Sequence, residues 1–213
     1  MKKICIIIPY FGKWPEWFEI YLRSIQYNPT INWIFFTDCK IPKNPPKNTK
    51  FIRFTLEKFN SLASKELKLK INIQSSYKLC DFKPAYGIIF KSYLKTFDFW
   101  GCGDIDLIYG EIRKFITQEI LKKYEIITTR KEALAGHFTL YKNNNKINNL
   151  FKRSKDYQLV FQNQKGYAFD ECNWLFGKLK NNTSIFDIKT EIETMTHVVK
   201  SLEKKGKIKT FSK

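Results

Sequence analysis

Ile4-Cys5-Ile6-Ile7-Ile8 is an unbroken apolar run, ended by Pro9. Successive side chains of a strand point to opposite faces, so a strand that is apolar at every position must be covered on both. This demands layers above and below it, as in a parallel sheet wound with helices, and argues against a half-exposed hairpin. Trp33-Ile34-Phe35-Phe36-Thr37 is a second run of this kind, ending in Asp38. Phe51 to Thr55 alternates like a third strand, and Phe97-Asp98-Phe99-Trp100 reads as an aromatic strand running into a glycine-loosened turn over Gly101-Cys102-Gly103 and Asp104-Ile105-Asp106.

Helical patterns lie between these strands. They cover Pro15 to Ser24, Leu56 to Ile71 and Lys83 to Thr96, while Pro42, Pro45 and Pro46 make Lys40 to Lys50 a loop. Further on, Gly110 to Lys123 reads as a helix, Glu125 to Thr129 and Phe138 to Tyr141 as strands, and Asn148 to Ser154 and Asp170 to Leu179 as helices. Strands alternating with helices predict an α/β/α sandwich around a mostly parallel, Rossmann-like sheet. Ligands of such sheets bind beyond the carboxyl ends of the strands. Tyr10 and Phe11, Asp38, and Asp104 with Asp106 are therefore expected around one crevice.

The chain has 213 residues and a formal net charge of +18, so an anionic partner is expected. Nucleic acid, a nucleotide diphosphate and an anionic membrane face all satisfy the charge. The basic residues are spread along the chain with no nucleic-acid recognition motif, and the aromatics sit in apolar runs, so no nucleic-acid partner is expected. Five widely spaced cysteines without a CxxC pair read as free thiols of a reducing compartment. The first apolar run is shorter than a secretory signal core, and no stretch approaches the ~20 apolar residues of a membrane span. A cytoplasmic protein follows as the expectation. Residues 201–213 read as a basic C-terminal tail, serving either a membrane surface or solubility, because the last fourteen residues hold six lysines.

Gly103-Asp104-Ile105-Asp106 is the sharpest chemical feature. Carboxylates at i and i+2 point the same way on extended backbone, with the apolar residue between them anchored in the core. Two carboxylates without histidine or thiolate are hard oxygen ligands suited to Mg²⁺ or Mn²⁺. Such an ion keeps positions for phosphate oxygens and offsets charge on a diphosphate leaving group. Gly101 and Gly103 are expected to let a diphosphate approach the backbone.

Five segments occur in order: Ile6 to Gly12, Phe35 to Asp38, Lys83-Pro84-Ala85-Tyr86-Gly87, Phe99 to Asp106, and Gly136-His137-Phe138-Thr139-Leu140-Tyr141. Together they resemble the small bacterial GT-A-type glycosyltransferases of capsule and lipopolysaccharide biosynthesis, over roughly residues 4–180. The resemblance implies a single domain over residues 1–200, with residues 1–110 as a nucleotide-sugar-binding half and 111–200 as an acceptor-binding half. It implies transfer from a nucleotide-sugar donor, often a UDP-sugar, to a hydroxyl of a glycan or lipid-linked glycan, with peripheral contact to the inner membrane face.

Residue by residue, Asp104 and Asp106 become the metal and diphosphate site. Pro9, Tyr10 and Phe11 border the base. Asp38 accepts from base or ribose, or else caps a turn. Lys83 faces a phosphate, or else solvent. Asp170 or Glu171 is the base of an inverting transfer, or else caps a helix. Gly136 and His137 contact the acceptor, with a structural histidine as the alternative. His197 is a further candidate metal ligand. A nucleotidyltransferase would carry a glycine-rich loop after the first strand, where only Gly12 stands. A phosphatase of the haloacid type would carry its Asp-x-Asp there too, and here the pair comes much later.

Overall fold

A computed structural model of the protein describes residues 1–180 and 183–212. Strand β1 (Ile4–Pro9) is followed by α1 (Phe18–Gln26), β2 (Ile31–Thr37), β3 (Thr49–Arg53) and α2 (Leu56–Leu67). Two single-turn helices, α3 (Leu79–Phe82) and α4 (Tyr86–Ile89), precede β4 (Phe99–Gly103). Beyond it come α5 (Ile112–Phe115), α6 (Gln118–Lys123), β5 (Ile126–Thr128), β6 (Phe138–Lys142), α7 (Asn145–Asn148), α8 (Tyr157–Gln162), α9 (Met195–Lys204) and β7 (Thr210–Ser212).

The seven strands form one sheet in the order β3-β2-β1-β4-β6-β5-β7. The pairs β3·β2, β2·β1, β1·β4 and β5·β7 are parallel, and β6 runs antiparallel to both of its neighbours. The expected Rossmann-like α/β architecture with a mostly parallel sheet is what the chain adopts. The two faces of β1 explain why its sequence is apolar throughout. Cys5 and Ile7 enter one core with Phe36, Trp100 and Tyr141, and Ile4, Ile6 and Ile8 enter the other with Trp33, Phe35 and Leu140.

Four expectations change. The helix read over Lys83 to Thr96 is a succession of short turns, since Gly87 lies so close to the Trp100 indole that a Cβ would meet its ring atoms at 2.5–2.7 Å. The helix over Gly110 to Lys123 is split, and Thr117 caps its second part by accepting from Ile120 N. Asp170 to Leu179 is a series of turns with Asn173 and Trp174 in the left-handed region, at φ 58° and 63°. Residues 201–212, expected as a basic tail, are ordered: α9 runs to Lys204, and Thr210–Ser212 pairs in register with Ile126–Thr128 as an edge strand of the sheet. Among the described residues no helix is long and apolar enough to cross a membrane.

Candidate functional site

Chain direction fixes where a site can form. From β1 the chain winds one way to β2 and β3, then returns to place β4 on the other side of β1. Where the winding reverses, the loops leaving adjacent strands diverge and open a crevice at the carboxyl edge. The loop after β1 begins at Tyr10 and the loop after β4 at Asp104, so both belong to this crevice. It is a cavity of about 540 Å³, lined by Pro9, Tyr10 and Phe11, by Asp104, Ile105 and Asp106, and by Lys83, Asp170 and Glu171.

The Asp104–Asp106 turn is built as its sequence requires. Asp104 N donates to His137 O at 3.2 Å, tying the turn to the antiparallel neighbour β6. Ile105 is buried in the core beside Ile6 and Phe138, which turns the flanking carboxylates to the cavity. Asp104 is half-buried and Asp106 exposed. Gly101-Cys102-Gly103, expected as a turn, completes β4 and pairs with β6, and a Cβ on Gly101 would meet Leu140 Cδ2 at 2.5 Å and Ile6 Cδ1 at 2.9 Å, so that glycine serves packing within the sheet.

Lys83 is buried, not solvated. Its Nζ lies 2.5 Å from Asp104 Oδ1, donates to Gly136 O at 2.9 Å and stands 3.7 Å from Asp170 Oδ2. Burial alone would depress this ammonium, but Asp170 and Asp104 hold it well above the ordinary lysine range. From the other end of the same residue, Gly136 N donates to Glu171 Oε1 at 2.7 Å. Gly136 is thus clasped between the lysine and the acid pair, and a Cβ on it would collide with Asp170 and Glu171. Burial pushes Asp170 well above the usual carboxyl range, with Lys83 opposing and Glu171 adding to the rise. Burial also raises Glu171, against the lowering effect of the Gly136 N–H.

The segment carrying these acids is pinned from beneath by Asp81. This buried carboxylate accepts from Lys78 Nζ at 2.8 Å, Tyr167 N at 3.0 Å and Phe169 N at 2.8 Å. The first turn of α9 holds the other side, where Met195 N donates to Phe169 O and Thr196 Oγ1 to Glu171 O. Ala168, between the Asp81 contacts, sits at φ 47°, a conformation that a residue with a Cβ adopts at a cost of about 1 kcal/mol or more. Asp81 was missed by pattern reading. Its one signal was an acid inside the apolar Leu79-Cys80-Asp81-Phe82, where an unpaired charge is not tolerated.

The remaining candidates take other places. Asp38 is exposed and outside the cavity wall. Its Oδ1 accepts from Gly12 N at 2.7 Å and holds that glycine at φ 104°, so it braces the Tyr10–Phe11 loop as a turn cap. The His137 ring contacts Thr129 Oγ1 through Nε2 at 2.9 Å and faces a separate, largely apolar cavity of about 360 Å³. His197 is not brought to Asp104 and Asp106: it does not line their cavity, and its Nδ1 is used in the capping box of α9, accepting from Thr194 N at 3.1 Å. His197, expected as a candidate metal ligand, instead caps this helix.

Among the described residues no cluster of three or more histidine, cysteine, aspartate or glutamate side chains is arranged to hold a metal ion. Asp104 and Asp106 nevertheless form a two-carboxylate oxygen set on the cavity wall, with Lys83 occupying only Oδ1 of Asp104. Two hard carboxylate ligands are a donor set that Mg²⁺ or Mn²⁺ can take when water and phosphate oxygens supply the rest. All five cysteines are free thiols, and burial raises that of Cys80, on the cavity wall, to about 12.

Residues 6–212 match the model of a family of unknown function (DUF6625), and the chain belongs to that family. A comparison with curated proteins gives no match.

Proposed function

We propose that this member of the family is a metal-dependent glycosyltransferase. It moves a sugar from a nucleotide-sugar donor, a UDP-sugar by the sequence resemblance, to a hydroxyl of a bacterial surface glycan of the capsule or lipopolysaccharide kind. The observation that carries this reading is one cavity at the β1/β4 switch point holding both an open carboxylate pair, Asp104 and Asp106, and a buried one, Asp170 and Glu171. The first pair suits a hard cation and a diphosphate, and the second suits proton transfer.

In this reading Pro9, Tyr10 and Phe11 border the base, and Asp104 and Asp106 hold Mn²⁺ or Mg²⁺. The bound ion would neutralise charge on the departing diphosphate. Lys83 orients Asp104 and balances the charge of Asp170. Glu171 is the half-buried member of its pair, with Oε1 fixed by Gly136 N–H. In an inverting transfer it takes the proton of the acceptor hydroxyl as that oxygen bonds to the anomeric carbon. The bond from that carbon to the diphosphate oxygen breaks, and the electron pair leaves with the nucleotide. A carboxylate raised by burial is a stronger base than an exposed one, which favours this role. On this reading the enzyme lies in the cytoplasm at the inner membrane face, near lipid-linked acceptors.

The test is hydrolysis and transfer measured with UDP-, GDP-, CMP- and dTDP-sugars, with and without Mn²⁺. Metal-dependent turnover of one donor class is the expected result. If no donor binds or turns over under any metal, the reading fails.

A further inference from the structure

Three large aromatic side chains stand in solvent at the wall of the same cavity, and two of them pair: Tyr77, 63% exposed, and Trp174, 55% exposed. Their rings are parallel within 4°, with centres 6.3 Å apart. Solvent exposure of such rings is unfavourable, and the backbone beneath Trp174 is unfavourable as well. Asn173 and Trp174 are consecutive left-handed residues, a conformation unusual for a bulky side chain. The surrounding structure maintains it: Asn173 donates to Tyr167 O at 3.0 Å through its side chain and accepts from Glu191 N at 3.0 Å. The turn that displays the indole therefore belongs to the segment that carries Asp170 and Glu171.

We infer that Tyr77 and Trp174 form a stacking platform for a neutral pyranose, the sugar that enters beside the Asp170–Glu171 pair. A pyranose has one face of C–H groups and an edge of hydroxyls. The C–H face matches the electron-rich face of an aromatic ring, and the hydroxyl edge matches carboxylate acceptors. Trp174 follows Glu171 by three residues and lines the same cavity, so the platform and the carboxylates share one wall. A nucleotide fits this corner poorly, because its diphosphate would face Asp170 and Glu171, with one buried lysine, Lys83, beside Asp170. The identification of this sugar as the acceptor rests on the glycosyltransferase reading. The binding of a pyranose here does not.

The experiment titrates the full chain with methyl glycosides of glucose, galactose and N-acetylglucosamine, followed by saturation-transfer NMR, and separately with UDP and Mn²⁺. The expected result is binding of at least one glycoside, weakened about tenfold or more by Trp174→Ala and by Tyr77→Ala, with Trp174→Phe keeping most of it and UDP affinity unchanged within about twofold. Far-ultraviolet circular dichroism of each variant checks that the fold persists. The inference is overturned if no glycoside binds the wild type, if the alanine variants bind it equally well, or if they weaken UDP instead, which would make the platform a base-stacking surface. Glycoside binding that depends on Trp174, in a protein that turns over no donor, would uphold the platform while the transferase reading fails.

Discussion

The two carboxylate pairs of the cavity are built in opposite ways. Asp104 and Asp106 leave the end of a parallel strand, separated by one buried isoleucine, and keep at least part of their surface in solvent. Asp170 and Glu171 are adjacent in sequence, sit in a strained turn, and are raised by burial. Carboxylates that remain open retain their affinity for cations. Carboxylates that are desolvated become proton acceptors of higher affinity. A single site can therefore divide metal binding from acid–base chemistry between residues of nearly the same kind, by environment alone. Lys83 touches both pairs and keeps the charges of the two corners in balance.

The largest effect should come from the support of the buried corner. Asp81→Ala would leave the buried Lys78 ammonium without its counter-charge and the Tyr167 and Phe169 N–H groups without an acceptor, costing about 3–5 kcal/mol of stability in a denaturant titration. A loss below about 1 kcal/mol would mean that the corner is not preorganised by Asp81. Glu171→Gln should lower transfer by ~10²–10⁴-fold while donor affinity holds, and an unchanged rate would remove Glu171 as the base. Gly136→Ala should destabilise by about 1–3 kcal/mol through collision with both acids. Asp38→Ala, which frees only the brace of the open corner's neighbouring loop, should cost about 1 kcal/mol and leave the acids unaffected.

The smallest effect is a pH dependence. Glu171 is raised in the folded protein, so its stabilising contribution is complete below the usual glutamate pKa and is lost as pH rises through the folded value. Glu171→Gln should accordingly raise the thermal midpoint more at neutral pH than at about pH 4. The opposite trend would show that Glu171 is stabilised as the carboxylate.

Legibility in sequence follows the same division. β1, β2 and β4 are readable because burial on both faces leaves them almost wholly apolar, with Asn32 and Thr37 of β2 as the polar exceptions. Asp104 and Asp106 are readable because they end such a strand. The short turns around Gly87 depend on the Trp100 indole beneath, a contact between distant segments that periodicity does not carry. Asp170 to Leu179 has helix-compatible residues, yet tertiary hydrogen bonds through Asn173 and Asp81 hold it in turns. Lys83 resembled any of the chain's many lysines until folding set it between two acids. His197 had helix-cap geometry that a lone histidine does not announce. Residues 201–212 looked like a solvated tail because lysine density conceals the Thr210-Phe211-Ser212 edge strand.

In the proposed reaction Asp104 and Asp106 hold a cation that recruits a nucleotide diphosphate. Calorimetric titration of UDP into the wild type and Asp106→Ala, each with Mn²⁺ and with chelator, tests it most directly. The account predicts binding to the wild type with Mn²⁺, and binding reduced at least about tenfold by chelator or by Asp106→Ala, with the variant's circular dichroism unchanged. UDP binding that survives both chelation and Asp106→Ala, or no UDP binding in the presence of Mn²⁺, would contradict it.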